Sequence, residues 1–453
     1  MGMWLSHLPE IWQKKLFPSA SLHRSNAYLE VNNNIRYLFI LFFSLAVFLS
    51  AFIFDRPSDI LSGIPSILTV PGVLVTDYMA VANIGTALFN AGLLMLICIG
   101  ISRLSQIVMD GPVIAAIFTV GGFALFGKNM INIWPIFAGV WLYARYRQRK
   151  FGQFILPALF GTALSPVVSQ IAFGFDLPDN LAYFLAIAVG LVVGFALPPL
   201  ANHFVVFHQG FNLYNIGFTS GIIGMAVMSL FRAFNHDVAE STMIVSAGNN
   251  TRLSIWLVSF FTLLLLAGLM LTNKLAKGLG LLFKQGGRLV TDFVSIAGFG
   301  PSLINMALLG YLSTGYILLV GGELNGPTIG GVFTVVGFGA FGKHLLNVTP
   351  LFIGVFLASM LKIFETNSTG ALLAALFGTT LAPLAGAYGW TYGIAAGFVH
   401  MSVVMNVGYL HGGMNLYNNG FAGGFVAATL VPLFDVLKNR FITDDEKPEA
   451  EEA

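Results

Sequence analysis

The 32 residues GPVIAAIFTVGGFALFGKNMINIWPIFAGVWL, from Gly111 to Leu142, align without a gap on GPTIGGVFTVVGFGAFGKHLLNVTPLFIGVFL, from Gly326 to Leu357, and 17 positions are identical. The same offset of 215 relates Thr76-Asp77 to Thr291-Asp292 and Asn90 to Asn305. Asn33-Asn34 and Arg36 match Asn249-Asn250 and Arg252 at 216, and Phe160-Gly161-Thr162 matches Phe377-Gly378-Thr379 at 217. The phrase HQGFNLYNIGFTSG, from His208 to Gly221, returns as HGGMNLYNNGFAGG, from His411 to Gly424, at 203. Order is kept throughout, so the chain is a tandem duplication and both copies must fold alike. Copy one runs over about 35–231 and copy two over about 252–437, joined by a polar linker at 232–251.

Composition decides the solvent. Hydrophobic residues make up 56% of the chain and charged residues 9%, against roughly a quarter charged in a soluble domain. Apolar runs such as Ile35 to Phe54, Leu181 to Ala201, Leu253 to Leu271 and Thr391 to Tyr409 reach the ~20 residues a helix needs to cross a bilayer. The fold class is therefore an all-α integral membrane protein. A net charge of +2 gives no nucleic-acid signal, and the single cysteine, Cys98, excludes an intramolecular disulfide. The first long apolar run begins only near Ile35, so no cleavable signal pattern is expected. Before it, Trp4, Leu5, Leu8, Ile11, Trp12 and Leu16 fall at helical spacing beside Lys14 and Lys15, which predicts an amphipathic segment over 1–34 on the membrane surface.

Basic residues set the expected orientation. With the N-terminus cytoplasmic, copy one crosses five times, near 35–54, 78–101, 153–175, 181–201 and 212–231. This threading leaves Arg56, Arg232, Arg252 and Lys362 outside, Lys128 and Lys343 in neither set of loops, and the other 16 of the 22 basic residues inside, a strong positive-inside bias. An odd number of crossings inverts copy two relative to copy one. The acidic tail, 438–453, then also lies in the cytoplasm, and the protein is expected in the plasma membrane of a prokaryote. Inverted repeats place a solute site near the bilayer midplane where matching segments meet.

Three motifs supply candidate site residues. The first is the hairpin around Phe126-Gly127-Lys128 and Phe341-Gly342-Lys343. Its limbs, of 15 and 14 residues in copy one, measure roughly 21–23 Å, short of the ~30 Å hydrocarbon core. A re-entrant hairpin fits, with Asp110 or Asn325 as entry cap and Asn132 or Asn347 capping the returning limb. Each turn then holds a lysine beside a helix N-terminus, which favours an anion or a polar oxygen, and the two turns are expected to approach each other. The alternative is that both limbs cross and the lysines snorkel to the interfaces, which avoids burying a charge.

The second motif is the repeated phrase. If it is helical, His208, Asn212 and Asn215, and likewise His411, Asn415 and Asn418, form one polar stripe facing a path; otherwise they bond neighbouring helices or cap a helix start. One histidine per phrase, with no cysteine or carboxylate, does not suggest a metal or another cofactor. The third is Glu323 in Gly321-Gly322-Glu323-Leu324-Asn325-Gly326-Pro327. Its aligned residue in copy one is Val108, and an acid in such a break could couple transport to a proton or cation or sit in water at the outer mouth.

The blocks F-T-V-x-G-F-x-x-F-G-K-x-x-x-N-x-x-P and H-x-G-x-N-L-Y-N-x-G-F resemble an uncharacterised prokaryotic family of duplicated multi-pass membrane proteins, catalogued as a domain of unknown function. The likeness covers both copies. Phe-Gly-Thr followed by a proline, then Leu-Tyr-Asn-x-Gly-Phe, is similar in style to the urea channels, which also invert an odd-crossing unit; the hairpin lysines and the missing urea-slot motif depart from them. The expected function is transport of a small polar or anionic solute, by secondary transport or through a passive channel. A homo-oligomer is compatible with the sequence. An intramembrane enzyme finds no nucleophile or metal-ligand motif to support it, and a structural or receptor subunit is the remaining class.

Overall fold

The computed structural model describes residues 31–238, 243–361 and 364–445. Residues 1–30 of the expected amphipathic segment and the end of the acidic tail fall outside the described residues. Copy one contributes α1 (Asn33–Phe54), α2 (Pro57–Thr69), α3 (Tyr78–Val81), α4 (Ile84–Leu104), α5 (Gly111–Phe123), α6 (Trp134–Tyr146), α7 (Ile155–Gly161), α8 (Ser165–Phe173), α9 (Asp179–Phe204) and α10 (Asn215–Ala233). Copy two repeats them in order as α11 (Asn250–Met270), α12 (Leu275–Phe283), α13 (Phe293–Ile296), α14 (Phe299–Leu319), α15 (Gly326–Phe338), α16 (Leu345–Ser359), α17 (Thr369–Gly378), α18 (Ala382–Tyr388), α19 (Trp390–Val407) and α20 (Asn418–Asp445).

Ten segments among the described residues are long and apolar enough to cross a membrane: α1, α4, Phe151–Phe173, α9 and α10, and then α11, α14, Thr369–Tyr388, Trp390–His411 and Asn418–Lys438. That is five per copy, the odd number inversion requires. The peripheral spans α1, α9, α11 and Trp390–His411 turn most of their length outward, whereas Phe151–Phe173 is 89% and Thr369–Tyr388 is 83% buried. The outer helices meet lipid and the two central segments, each interrupted by a short 3-10 turn and a proline (Pro166, Pro383), run through the protein.

Helix directions show the inversion. Phe54, at the end of α1, packs on Trp256 near the start of α11 at 6.3 Å, and Phe43, further back in α1, packs on Phe260 at 5.7 Å, so the first spans are antiparallel. The hairpin limbs α5 and α15 cross in the same sense: Gly122 lies against Gly330 while Gly337 lies against Ala115. Phe118 and its own counterpart Phe333 meet at 6.1 Å between ring centroids. A residue that touches its counterpart sits on the pseudo-two-fold axis.

Close approach on this axis depends on glycine. A β-carbon at Gly122 would stand 2.6 Å from the Gly330 carbonyl oxygen, whereas one at Gly100 in α4 meets nothing within 4 Å. Gly122→Ala should therefore destabilise the protein by about 1–3 kcal/mol through overpacking, while Gly100→Ala should be neutral or stabilising by up to ~1 kcal/mol through helix propensity. Thermal melts of the two variants in one detergent check this, and equal melts would contradict the contact.

The hairpins re-enter. Limbs α5, α6 and α15 have 13 residues and α16 has 15, roughly 20–22 Å at 1.5 Å per residue, too short to cross. One expectation fails. Because α5 and α15 cross at their centres, the two turns point away from each other, and each rests on the other copy's hairpin entrance: Gly326 packs on the Leu125 carbonyl and Gly111 on that of Ala340.

Candidate functional site

The hairpin turn is built from asparagines. Asp110 accepts the Val113 N–H at 3.1 Å, and Asn325 forms a capping box with Thr328, so both entry caps occur as expected. Chain reversal follows at Gly127 (φ 94°) and Gly342 (φ 90°), a left-handed conformation that suits glycine. From α4, Asn90 Nδ2 donates to the carbonyls of Ala124 (2.7 Å) and Lys128 (2.8 Å), and from α14 Asn305 does the same to Gly339 (2.7 Å) and Lys343 (2.8 Å). Asn132 and Asn347 clamp the turn, and Asn347 also caps α16 as expected by accepting the N–H of the N-cap residue His344, whereas α6 starts after Asn132, at Trp134. Each accepts the N–H three residues earlier, from Asn129 (2.9 Å) or His344 (2.8 Å), and donates to the Gly127 or Gly342 carbonyl at 2.9 Å. The second amide hydrogen of Asn132 goes to Ser169 Oγ at 2.9 Å, so both of its donors are engaged within the chain.

What the clamps present is a lysine. Lys128 and Lys343 are fully buried. Lys343 Nζ donates to Tyr214 Oη at 2.5 Å and Thr379 Oγ1 at 2.7 Å and stands over the rings of Tyr214 (4.4 Å) and Phe338 (5.0 Å). Lys128 Nζ stands 4.9 Å over Phe123 and has no hydrogen-bond partner, and neither does Tyr417 Oη. Phe123 packs edge-on against Tyr417 at 4.6 Å, and Tyr417 meets its counterpart Tyr214 at 4.9 Å. The tyrosine pair therefore lies on the pseudo-two-fold axis, with Lys343 behind the Tyr214 ring and Lys128 behind Phe123, the ring that packs on Tyr417. Among the described residues the one ion pair is Arg232–Asp237, at 3.1 Å, so neither lysine faces a carboxylate. Burying an unpaired ammonium costs several kcal/mol, which cation–π contacts of ~0.5–2 kcal/mol offset only in part.

The repeated phrase is not the helix its spacing permits. Gln209 (φ 51°) and Gly210 (φ 79°) turn the chain, as do Gly412 (φ 55°) and Gly413 (φ 72°), and helix resumes only at Asn215 and Asn418. The stripe is thereby split. Asn215 Nδ2 donates to Ala201 O at 3.0 Å, so its oxygen accepts from His208 Nε2 at 3.0 Å, which fixes that tautomer. His411, Asn418 and Val404 O repeat the arrangement at 2.9 and 3.2 Å. Asn212 and Asn415 instead cross to the other copy, donating to Gly420 O at 2.8 Å and Gly217 O at 3.2 Å. These six side chains are buried stitches that hold the tyrosines in place.

Asp77 and Asp292 do more than cap α3 and α13. Each also accepts the N–H that opens the other copy's hairpin, Gly326 at 3.1 Å and Gly111 at 3.0 Å. Asp292 satisfies its second oxygen with Ser295 Oγ. Asp77 takes the linker instead, from Ser246 N at 2.9 Å and Ser246 Oγ at 2.6 Å. The linker continues to Glu323, whose Oε2 accepts the Gly248 N–H at 3.0 Å, while Ile244 pairs with Val75 and Asp77 along the backbone.

That asymmetry leaves one entrance open. A vestibule of about 480 Å³ runs inward from Ser105, Gln106 and Lys150, past Asp110 and Asn215, to a floor of Tyr214, Tyr417, Phe160 and Phe338. Lys343 lies directly behind that floor. The counterpart entrance, beside Glu323, Asn325 and Val75, is crossed by linker residues 243–248.

A family model described as "Protein of unknown function (DUF1576)" matches residues 56–233 and 271–436. The chain belongs to this family. The two DUF1576 matches fall one on each copy, the first ending with α10 and the second within α20. The family thus contains both hairpins and both tyrosines. No curated protein and no solved structure matches the chain. Tyr214, Tyr417, Asp77, Asp292 and Ser246 are the residues that the sequence reading left outside the candidate site. The repeat carried a signal for all but Ser246, since each of the others recurs at its copy's offset.

Proposed function

We propose that this membrane protein carries a small anion, or a polar solute that presents an anionic oxygen, across the bilayer by exposing a site on the axis to each side in turn. The supporting observation is Lys343, buried and without a carboxylate, one ring behind the floor of the open vestibule. Its matched partner Lys128 has a free donor on the opposite side of the tyrosine pair. A solute oxygen reaching either amine would gain charge-assisted hydrogen bonds, worth about 1.5–3 kcal/mol each. The covered second entrance favours a carrier over a continuously open pore. Glu323 is then a latch on the linker, and a coupling role would have to operate through its release. On this reading the basic side faces the cytoplasm of a cell membrane, and the protein acts without covalent chemistry on its solute.

Proteoliposomes test this with labelled small anions, urea and zwitterions offered in parallel. Saturable uptake of an anion, about tenfold or more above liposomes carrying a lysine-free variant, is the expected result. Uptake of urea alone, non-saturating and indifferent to both lysines, would instead establish a passive channel. Loss of saturable uptake on collapsing the proton or sodium gradient identifies coupling.

A further inference from the structure

We infer that the basic turn after α6 binds the phosphodiester of an anionic membrane lipid. Past Tyr146 the chain curls through Gln148 (φ 52°), and Arg149 N–H returns to the Ala144 carbonyl at 2.9 Å. The curl arranges Arg145, Arg149 and Lys150 around one hollow of about 490 Å³, completed by Trp141, Gln148 and Phe151. Arg145 is steadied over the Trp141 ring at 5.3 Å. All three cations are exposed, and among the described residues none forms an ion pair. Arginine forks match a phosphodiester's paired oxygens, and clustered cations at a membrane surface attract anionic lipid by ~1 kcal/mol each.

A lipid is favoured over a free anion by what adjoins the hollow. Trp141, Leu142 and Tyr146 are exposed along α6, and Tyr146 packs on the part-exposed Phe195 of α9 at 5.7 Å. Such a strip accepts acyl chains below a headgroup, with the aromatic rings at headgroup level. The fold itself does not require the charges. In copy two, at the offset of 215, Arg145 becomes Met360, Arg149 becomes Phe364 and Lys150 becomes Glu365, yet α16 packs on α19 as α6 packs on α9. Lys150 borders both the hollow and the vestibule, so a bound headgroup stands at the vestibule rim.

The test is native mass spectrometry and tryptophan fluorescence on the full-length protein in detergent, titrated with dioctanoyl phosphatidylglycerol, dioctanoyl phosphatidylcholine and inorganic phosphate. Phosphatidylglycerol should bind at least about tenfold more tightly than phosphatidylcholine, and millimolar phosphate should not displace it. R145Q/R149Q should lose that preference, whereas K274Q/K277Q, which removes two charges from the same basic side, should keep it. If R145Q/R149Q does not fold, R145K/R149K keeps the charge but not the fork and should weaken phosphatidylglycerol several-fold. Equal binding of the two lipids, full displacement by phosphate, or a control variant as damaging as the arginine variant would each overturn the proposal.

Discussion

Lys343→Met is expected to reduce solute flux by about tenfold or more while the protein stays folded. Methionine approximates the lysine stem and removes the ammonium, so the change deletes a charge without opening a large void. The lost pair of hydrogen bonds, to Tyr214 Oη and Thr379 Oγ1, is balanced by relief of the desolvation of a fully buried cation. Stability should stay within ~2 kcal/mol of the wild type in either direction. Lys128→Met should be stabilising, because Lys128 Nζ has no hydrogen bond to lose. Flux in proteoliposomes and thermal melts of the same preparations read both quantities. Wild-type flux in both variants would remove the lysines from the solute path, and a large destabilisation of Lys128→Met would mean that its charge is paired in the folded protein.

The second large effect is on folding. Asp77→Ala should cost about 3–5 kcal/mol, because one buried carboxylate accepts from Met79 N (2.8 Å), Gly326 N (3.1 Å), Ser246 N (2.9 Å) and Ser246 Oγ (2.6 Å), and orphaned buried donors cost ~1–3 kcal/mol each. Asp77→Asn separates the roles. It keeps an oxygen for Met79 and Gly326 but turns an NH2 toward Ser246. It should leave the hairpin brace intact and expose the linker to proteolysis, whereas Asp292→Asn, which touches no linker, should not. Limited proteolysis of the two asparagine variants distinguishes them, and identical linker cleavage would show that Asp77 does not hold the linker.

The parts legible in the sequence were those the duplication writes twice. Five crossings per copy, their inversion and the short hairpin limbs follow from apolar run length and the offset of 215, because span length is a local property of the chain. Of the two readings the sequence leaves open for the polar stripe, the structure takes the one in which its side chains bond neighbouring segments, for a physical reason. Spacings of four and three suit a helix, but Gly210 and Gly413 adopt left-handed angles, and the phrase spends its side chains on carbonyls 14 to 208 positions away. Such partners leave no local periodicity. The meeting of the hairpin turns failed, since crossing α5 and α15 at Phe118 and Phe333 carries each turn beyond the axis. Tyr214 and Tyr417 sat in plain view within Leu-Tyr-Asn, but only their contact shows that they lie on the axis.

The linker carries a further consequence. On the proposed carrier reading, two identical antiparallel copies would have two-fold-related open states of equal free energy, and an unlinked pair would rest facing either side equally often. Besides its two backbone bonds through Ile244, the linker makes three hydrogen bonds to acidic side chains, from Ser246 N and Oγ to Asp77 and from Gly248 N to Glu323, and on the proposed reading these break that degeneracy. At ~0.5–1.5 kcal/mol each, these three would shift the resting population by roughly 10- to 2,000-fold toward the state open beside Lys150. If the protein is the carrier proposed above, the duplicated frame supplies two exchangeable states and the short joining segment sets which one the empty protein occupies.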